Sequence, residues 1–315
     1  MSGFSESGRI QGSDFAVRAA RLQCTAPSPQ ASPLLFTADT TALLLWLVPL
    51  LATTGLIAGV LAGLLGVGGG IVVVPVLYHL FSYMGIDPSV RMHLAVGTSL
   101  ATIIPTSIRS VRAHTQRGGF DPALFRAWAP AVFAGSVFGT WMATLADFSV
   151  LTSIFGIVGL IMALQMGFGS SSWRLGTSLP RGPASMAFPV MIGGLSAMMG
   201  IGGGTFSVPA LSLFGTPMHR AVGTASGFGL VISIPATVGF AIGGWNMPGL
   251  AAFSLGYVNV LGLLLIVPTT LLTVPLGAHL AHTLSQQRLR QLFGIFLGIT
   301  ASRMLWDAIK AVSGL

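Results

Sequence analysis

Charge is what this sequence has least of. Only 7% of its 315 residues are charged, against about 25% in a soluble domain. No Asp, Glu, Lys or Arg occurs at 40–86, 127–146, 148–173, 182–219 or 221–287. Acids are scarcest. The seven of them (Glu6, Asp14, Asp39, Asp87, Asp121, Asp147 and Asp307) all lie in tails or near the ends of apolar runs. A proton-driven cation carrier usually keeps a carboxylate at membrane depth, so this inventory weighs against cation transport. The single Cys24 excludes an intramolecular disulfide. His279 and His282 share a helix face, but no cysteine or carboxylate joins them as a metal set. His114 and His219 sit beside arginines at segment ends, where solvation is their ordinary role. The apolar runs hold no paired carboxylates and no Ser/His/Asp set. The sequence therefore predicts no metal, no cofactor, no enzyme activity and no nucleic-acid partner.

What it has instead is apolar length: 53% of residues are hydrophobic and the mean hydropathy is +0.84. A helix needs about 20 apolar residues to cross a bilayer, and these runs do not alternate as barrel strands would. The fold class is an all-α polytopic membrane protein. Candidate segments are 41–66, 70–84, 94–112, 127–146 and 149–168, then 187–200, 204–215, 221–243, 255–280 and 289–309. Residues 1–40 are polar and Ser/Pro-rich, without the short hydrophobic core of a secretory signal, and read as a disordered tail or a start extension. Residues 169–186 read as a linker. Trp46, Trp128, Trp141, Trp245 and Tyr257 read as anchors at the membrane interface.

One module is used twice. GVGGGIVVVP at 66–75 returns as GIGGGTFSVP at 200–209, with an offset of 134 residues. AVGT at 95–98 returns at 221–224, and Gly139 and Phe155-Gly156-Ile157 return as Gly277 and Phe293-Gly294-Ile295 with an offset of 138. Repeats of 41–168 and 187–315 follow, a pattern common in secondary transporters. The basic residues change places between the copies. Arg109, Arg112, Arg117 and Arg126 crowd the link after the third segment, whereas its counterpart GGWNMPG at 243–249 is uncharged. Arg288 and Arg290 precede the last segment, whereas its counterpart carries only Asp147. By the positive-inside rule this predicts inverted topology, with a cytoplasmic 169–186 linker. The shortest segments cannot cross a ~30 Å core at 1.5 Å per residue, so the glycine motifs are expected as breaks or hairpin tips within the membrane.

Glycine triplets are poor helix material, costing about 1 kcal/mol each relative to alanine, and non-helical backbone survives at membrane depth only inside protein or beside a wet cavity. Where a helix restarts after such a break, free N–H groups and a positive dipole end make an anion site without a fixed cation. The expected substrate-binding residues are Gly68, Gly69, Gly70, Gly202, Gly203 and Gly204, with the hydroxyls of Thr98, Ser99, Thr205, Thr224 and Ser226; Ser207 adds another. Gly66, Pro75, Pro105, Gly200, Pro209 and Pro235 are expected as hinge or gate positions, with the helices carrying the AVGT strings broken again at Pro105 and Pro235. Close helix packing remains open for the triplets, and is the main reading of the Gly55, Gly59, Gly63 ladder. Asn259 and Gln165 read equally as helix–helix glue or substrate contacts. A dinucleotide-binding reading of Gly66-x-Gly68-x-Gly70 fails, because no βαβ pattern surrounds it.

At these motifs the chain resembles the sulfite exporter TauE/SafE family of membrane permeases. The resemblance rests on GLLGVGGGIVVVPVL (63–77), AVGTSL (95–100) leading to AHTQRGGFD (113–121), GIGGGTFSVPAL (200–211), GYVN (256–259) and PLGAHLAHTLSQQRLRQLFG (275–294). It covers about residues 43–310. It implies a multi-pass permease of the bacterial inner membrane for small anions, often sulfur oxyanions or organosulfonates such as sulfite or sulfoacetate. One departure is Ala225 where the first copy has Ser99, so the half-sites need not contribute equally. The resulting expectation is a secondary transporter moving a small anion by alternating access between two repeats. Its partners would be that anion and the lipid bilayer, with a homo-oligomer left open. The rivals are an anion channel of the same architecture and a non-transporting membrane assembly subunit.

Overall fold

A computed structural model of the chain describes residues 38–65, 69–168, 183–280 and 286–313. The 1–37 part of the tail, Gly66, Gly68, most of the 169–186 linker and His282 lie outside the described residues. The chain divides into residues 1–45 and a unit from Trp46 to Leu315, which carries everything below.

Long apolar runs give a helical protein despite 42 glycines and 18 prolines. The helices are α1 (Ala38–Leu65), α2 (Gly70–Tyr83), α3 (Pro88–Gln116), α4 (Pro122–Leu145), α5 (Phe148–Phe168), α6 (Pro183–Met199), α7 (Gly204–Leu213), α8 (Met218–Gly243), α9 (Val260–Leu280) and α10 (Gln286–Ser313). Among the described residues α3, α5, α8 and α9 are long and apolar enough to cross a membrane. At 1.5 Å per residue α2 and α7, of 14 and 10 residues, reach only about 21 and 15 Å. Large apolar side chains face outward on α5, α9 and α10, among them Ile161, Leu164, Leu272 and Ile299, as a lipid solvent requires.

Two boundaries differ from the sequence expectation. The segment expected at 255–280 starts as a helix only at Val260. Ahead of it β1 (Ser254–Leu255) and β2 (Val258–Asn259) form a hairpin, with Asn259 Oδ1 accepting from Gly262 N at 2.7 Å to cap α9. Nor do Pro105 and Pro235 break their helices: α3 and α8 run through both. A proline removes one ladder hydrogen bond, and burial among neighbouring helices tolerates that loss in a membrane protein.

Packing joins helices of one sequence copy to those of the other. α3 lies along α8, and α5 along α10. α4 packs on α6 so closely that Gly139 lies against the Gly194 carbonyl and Gly193 against that of Val132. The same contacts recur between α9 and α1, where Gly277 lies against the Val60 carbonyl and Gly59 against that of Thr270. Thr270 and Thr273 add hydroxyl bonds of 3.1 and 3.0 Å to the carbonyls of Gly55 and Leu56. The Gly55 and Gly59 rungs of the ladder thus serve helix packing. Any side chain at Gly139 overlaps backbone, and overpacking typically costs about 1–3 kcal/mol. Gly139→Val is expected to lower the thermal midpoint of detergent-purified protein; an unchanged midpoint would mean that this helix pair is not as close as described.

Candidate functional site

Each glycine motif separates two helices. In the second copy, α6 closes at Gly200, whose φ of +67° suits glycine. Ile201 N donates to Ser196 O at 3.0 Å and Gly200 N to Ala197 O at 3.3 Å, the pair of bonds that ends a helix in a Schellman cap. Gly202 and Gly203 follow, and α7 begins at Gly204. In the first copy, Gly69 precedes α2 with φ +74°, its carbonyl accepting from Val72 N and Val73 N.

The two breaks touch. A Cβ built on Gly70 would stand 2.6 Å from the Gly200 carbonyl oxygen and 3.1 Å from Ser99 Oγ. Ser99, from the centre of α3, donates its hydroxyl to Gly200 O at 2.7 Å and sits 3.5 Å from Gly70 O. One hydroxyl on a long buried helix therefore fastens both motifs. Gly203 is closed in by α8: a Cβ there would lie 2.8 Å from both Gly229 N and Phe228 Cβ.

The remaining AVGT hydroxyls are used structurally. Thr98 Oγ1 accepts from Asn259 N at 2.8 Å, and Thr224 Oγ1 accepts from Asp121 N at 3.1 Å. The arrangements match residue for residue. Gly97 lies against the Tyr257 carbonyl and Gly223 against that of Gly119; Asn259 caps α9 as Asp121 caps α4. Each AVGT string thus latches its helix to the start of a helix in the other copy. Ser226 Oγ donates to Gly223 O at 2.7 Å.

Other hydroxyls have no partner. Thr205 and Ser207, at the start of α7, are 4% and 0% exposed, and neither hydroxyl makes a hydrogen bond; nor does that of Ser196, which is 0% exposed on the last turn of α6. On α8 the hydroxyls of Ser233 and Thr237, one turn apart, are likewise unpaired. Among the described residues no acceptor meets the amides of Gly202, Gly203 and Gly204. Buried polar groups are nearly always bonded, so the unpaired hydroxyls of Ser196, Thr205 and Ser207 are exceptions, whereas free amides are ordinary at a helix start.

Pro75 and Pro209 lie inside α2 and α7, where each deprives the carbonyl four residues back of its N–H. Among the described residues no group of three His, Cys, Asp or Glu could hold a metal. Two aromatic expectations fail. Trp128 is 6% exposed and stacks at 6.2 Å on Phe228, and Tyr257 is 2% exposed and stacks at 4.8 Å on His93; helix crossings that local sequence does not reveal draw both inward. Trp141 and Trp245 are exposed, as anchors should be.

Sequence reasoning overlooked three polar residues. Ser196 could have been found from its place four residues before Gly200. His93, whose Nε2 lies 3.0 Å from Ala143 O, and Tyr78, which donates to Asp307 at 3.2 Å, carry no local signal.

The family model of the sulfite exporter TauE/SafE matches residues 51–304. A probable membrane transporter protein of Haemophilus influenzae is 33% identical over 79% of this chain and 95% of its own length. Similar proteins bearing the same description occur in Methanocaldococcus jannaschii, 28% identical over 83% of this chain and 96% of that one, and in Bacillus subtilis, 26% identical over 82% and 98%. No solved structure matches.

Proposed function

This chain belongs to the sulfite exporter TauE/SafE family, and from that premise we propose that it is a secondary transporter of a small oxyanion, a sulfur oxyanion or organosulfonate, in the bacterial inner membrane. Its membrane-transporter class follows from the family and from its apolar helices. The observation that carries the anion reading is the meeting of the two glycine breaks at Ser99, with unpaired hydroxyls and amides alongside and no acid among them. The site lies at Gly69, Gly70 and Gly202–Gly204, with Thr205 beside it and Thr98, Ser99, Thr224 and Ser226 holding its walls; Gly66 and Gly68 would complete the first break. Hydroxyls and bare amides suit an acceptor-rich oxyanion.

Alternating access would come from motion between the two copies, inserted in opposite directions as the exchange of arginines between equivalent loops suggests. Pro75 and Pro209 in α2 and α7, with Pro105 and Pro235 in α3 and α8, are the places where these helices can yield.

Radiolabelled sulfite flux into proteoliposomes tests the reading. Saturable uptake that speeds up when the vesicles are preloaded with unlabelled sulfite or sulfoacetate is the expected result. Flux without saturation or counter-flow would favour a channel, and absence of flux for every small anion would overturn transport of this class.

A further inference from the structure

His93 is a buried titratable group that the site above does not use. It is 3% exposed, in the second turn of α3. Its Nε2 lies 3.0 Å from the Ala143 carbonyl oxygen and 3.1 Å from that of Ala146, both where α4 ends. Carbonyl oxygens only accept, so Nε2 carries a hydrogen, and in the neutral ring Nδ1 is a bare lone pair. Nδ1 makes no hydrogen bond. The group it faces is one more acceptor, the Ser89 carbonyl one turn back. Every polar neighbour of this imidazole takes a hydrogen, and none supplies one.

Such surroundings suit an imidazolium, whose two N–H groups both donate. Burial opposes charge on any ring, but four neighbours favour it here. A proton on Nδ1 turns the facing of two acceptors into a hydrogen bond to Ser89. The end of α4 carries about half a negative charge, and Asp147, just beyond it, adds a full one. Tyr257 stacks on the ring at 4.8 Å, and an aromatic face attracts a cation. Asp147 and Tyr257 are the titratable groups that face His93 among the described residues. α4 presents Ala143 and Ala146, and α8 presents Phe240 at 6.5 Å. On α3 itself Arg91 is turned onto the Ile86 carbonyl, at 2.8 Å. The second copy keeps the histidine but not these surroundings: His219 is exposed, and Gly119 stands where Tyr257 would be at the 138-residue offset.

We propose that His93 is the site of a coupling proton, taken up on Nδ1, and that the protein moves its anion together with that proton. The inference rests on the transporter reading above and adds the coupling ion, carried by a histidine and not by an acid. Water is within reach of the site, because Ser89 is exposed. The route to the anion is short as well. Tyr257, stacked on His93, lays its carbonyl against Gly97, and Asn259 N donates to Thr98. The next residue, Ser99, fastens both glycine breaks. Ser99 stands about 9 Å from His93 along the helix, so an imidazolium attracts an anion held at the breaks. Without the proton, the hold of α3 on the end of α4 and on the hairpin loses one hydrogen bond and this attraction.

The probe is radiolabelled sulfoacetate, whose acid groups titrate well below neutrality, so a pH gradient acts on the protein and not on the probe. In proteoliposomes that are alkaline inside, with the membrane potential clamped, the wild type should accumulate about tenfold more probe per unit of pH gradient, as one proton per anion requires. His93→Gln keeps a donor for the α4 carbonyls but takes no proton. It should lose the gradient-driven accumulation, its exchange no longer varying with pH. Asp147→Asn changes only an exposed charge; it should fold as wild type and move the pH profile of exchange to lower pH, because the proton is held less tightly. NMR of the purified full chain with isotope-labelled histidine reads the proton without transport. The His93 resonance, identified by its loss in His93→Gln, should titrate, with a lower midpoint in Asp147→Asn. A resonance that never gains a proton would overturn the site. Exchange of sulfoacetate that ignores the gradient, or accumulation that survives in His93→Gln, would overturn the coupling and leave the transporter reading standing. Absence of flux for every small anion would overturn that reading, and the coupling with it.

Discussion

Gly203→Leu is expected to abolish transport while the protein still inserts and purifies as a folded species. Gly203 has an ordinary helical φ of −54°, so no backbone conformation demands glycine there. Space does. A Cβ would meet the amide nitrogen of Gly229 and the Cβ of Phe228, both at 2.8 Å, and the first of these is backbone that cannot rotate away. A leucine therefore drives the start of α7 off α8 and moves the Gly202–Gly204 amides with it. Insertion is not opposed, since leucine partitions into the bilayer better than glycine. Gly69→Leu should fail by a second route, because its φ of +74° costs an L side chain about 1–2 kcal/mol and the Ala58 carbonyl lies 3.0 Å from the Cβ position. Gly167→Leu is the control, since nothing lies within 4 Å of a Cβ there. Proteoliposome flux, with size-exclusion profiles to certify folding, reads all three. Full transport by Gly203→Leu would remove the second break from the substrate path.

How much of this was legible in the sequence depends on the range of the interaction. Apolar length marks the helices among the described residues, α3 and α10 despite the arginines they carry, and the glycine triplets mark both breaks, because hydropathy and helix propensity are local. The hairpin before α9 was hidden, since residues 254–259 carry no charge and lead into the apolar helix without a proline. The fate of the hydroxyls was not legible at all. Thr98 and Thr205 look alike in sequence, each one residue from a glycine in an apolar stretch. Thr98 spends its oxygen on an amide 161 residues away, whereas Thr205 meets no one. Only the chain crossing decides which hydroxyl remains for a ligand. The duplicated sequence helped more than composition did, because it showed which positions to compare: Ile71 with Thr205, Val73 with Ser207, Asp121 with Asn259.

That last pair carries a further expected result. The latches Thr98–Asn259 and Thr224–Asp121 are equivalent in the two copies but differ in their surroundings. Asn259 is 6% exposed, whereas Asp121 is half-buried at the end of an arginine-rich link. Thr98→Val keeps the shape and removes the acceptor, leaving a buried amide unpaired at a cost of about 1–3 kcal/mol. Thr224→Val leaves an amide that water can reach, so its effect should be smaller. Gly97→Ala and Gly223→Ala should each be severe, because the added methyl in both cases overlaps a carbonyl, of Tyr257 or of Gly119, and no rotamer relieves it. Thermal midpoints in detergent should therefore fall in the order Gly97→Ala and Gly223→Ala most, then Thr98→Val, then Thr224→Val. Native-state hydrogen exchange gives the independent reading: the Asp121 amide should exchange faster than that of Asn259, since local opening needs less where fewer contacts are buried. Equal exchange at the two amides would mean that the latches are energetically matched, and that neither copy yields first.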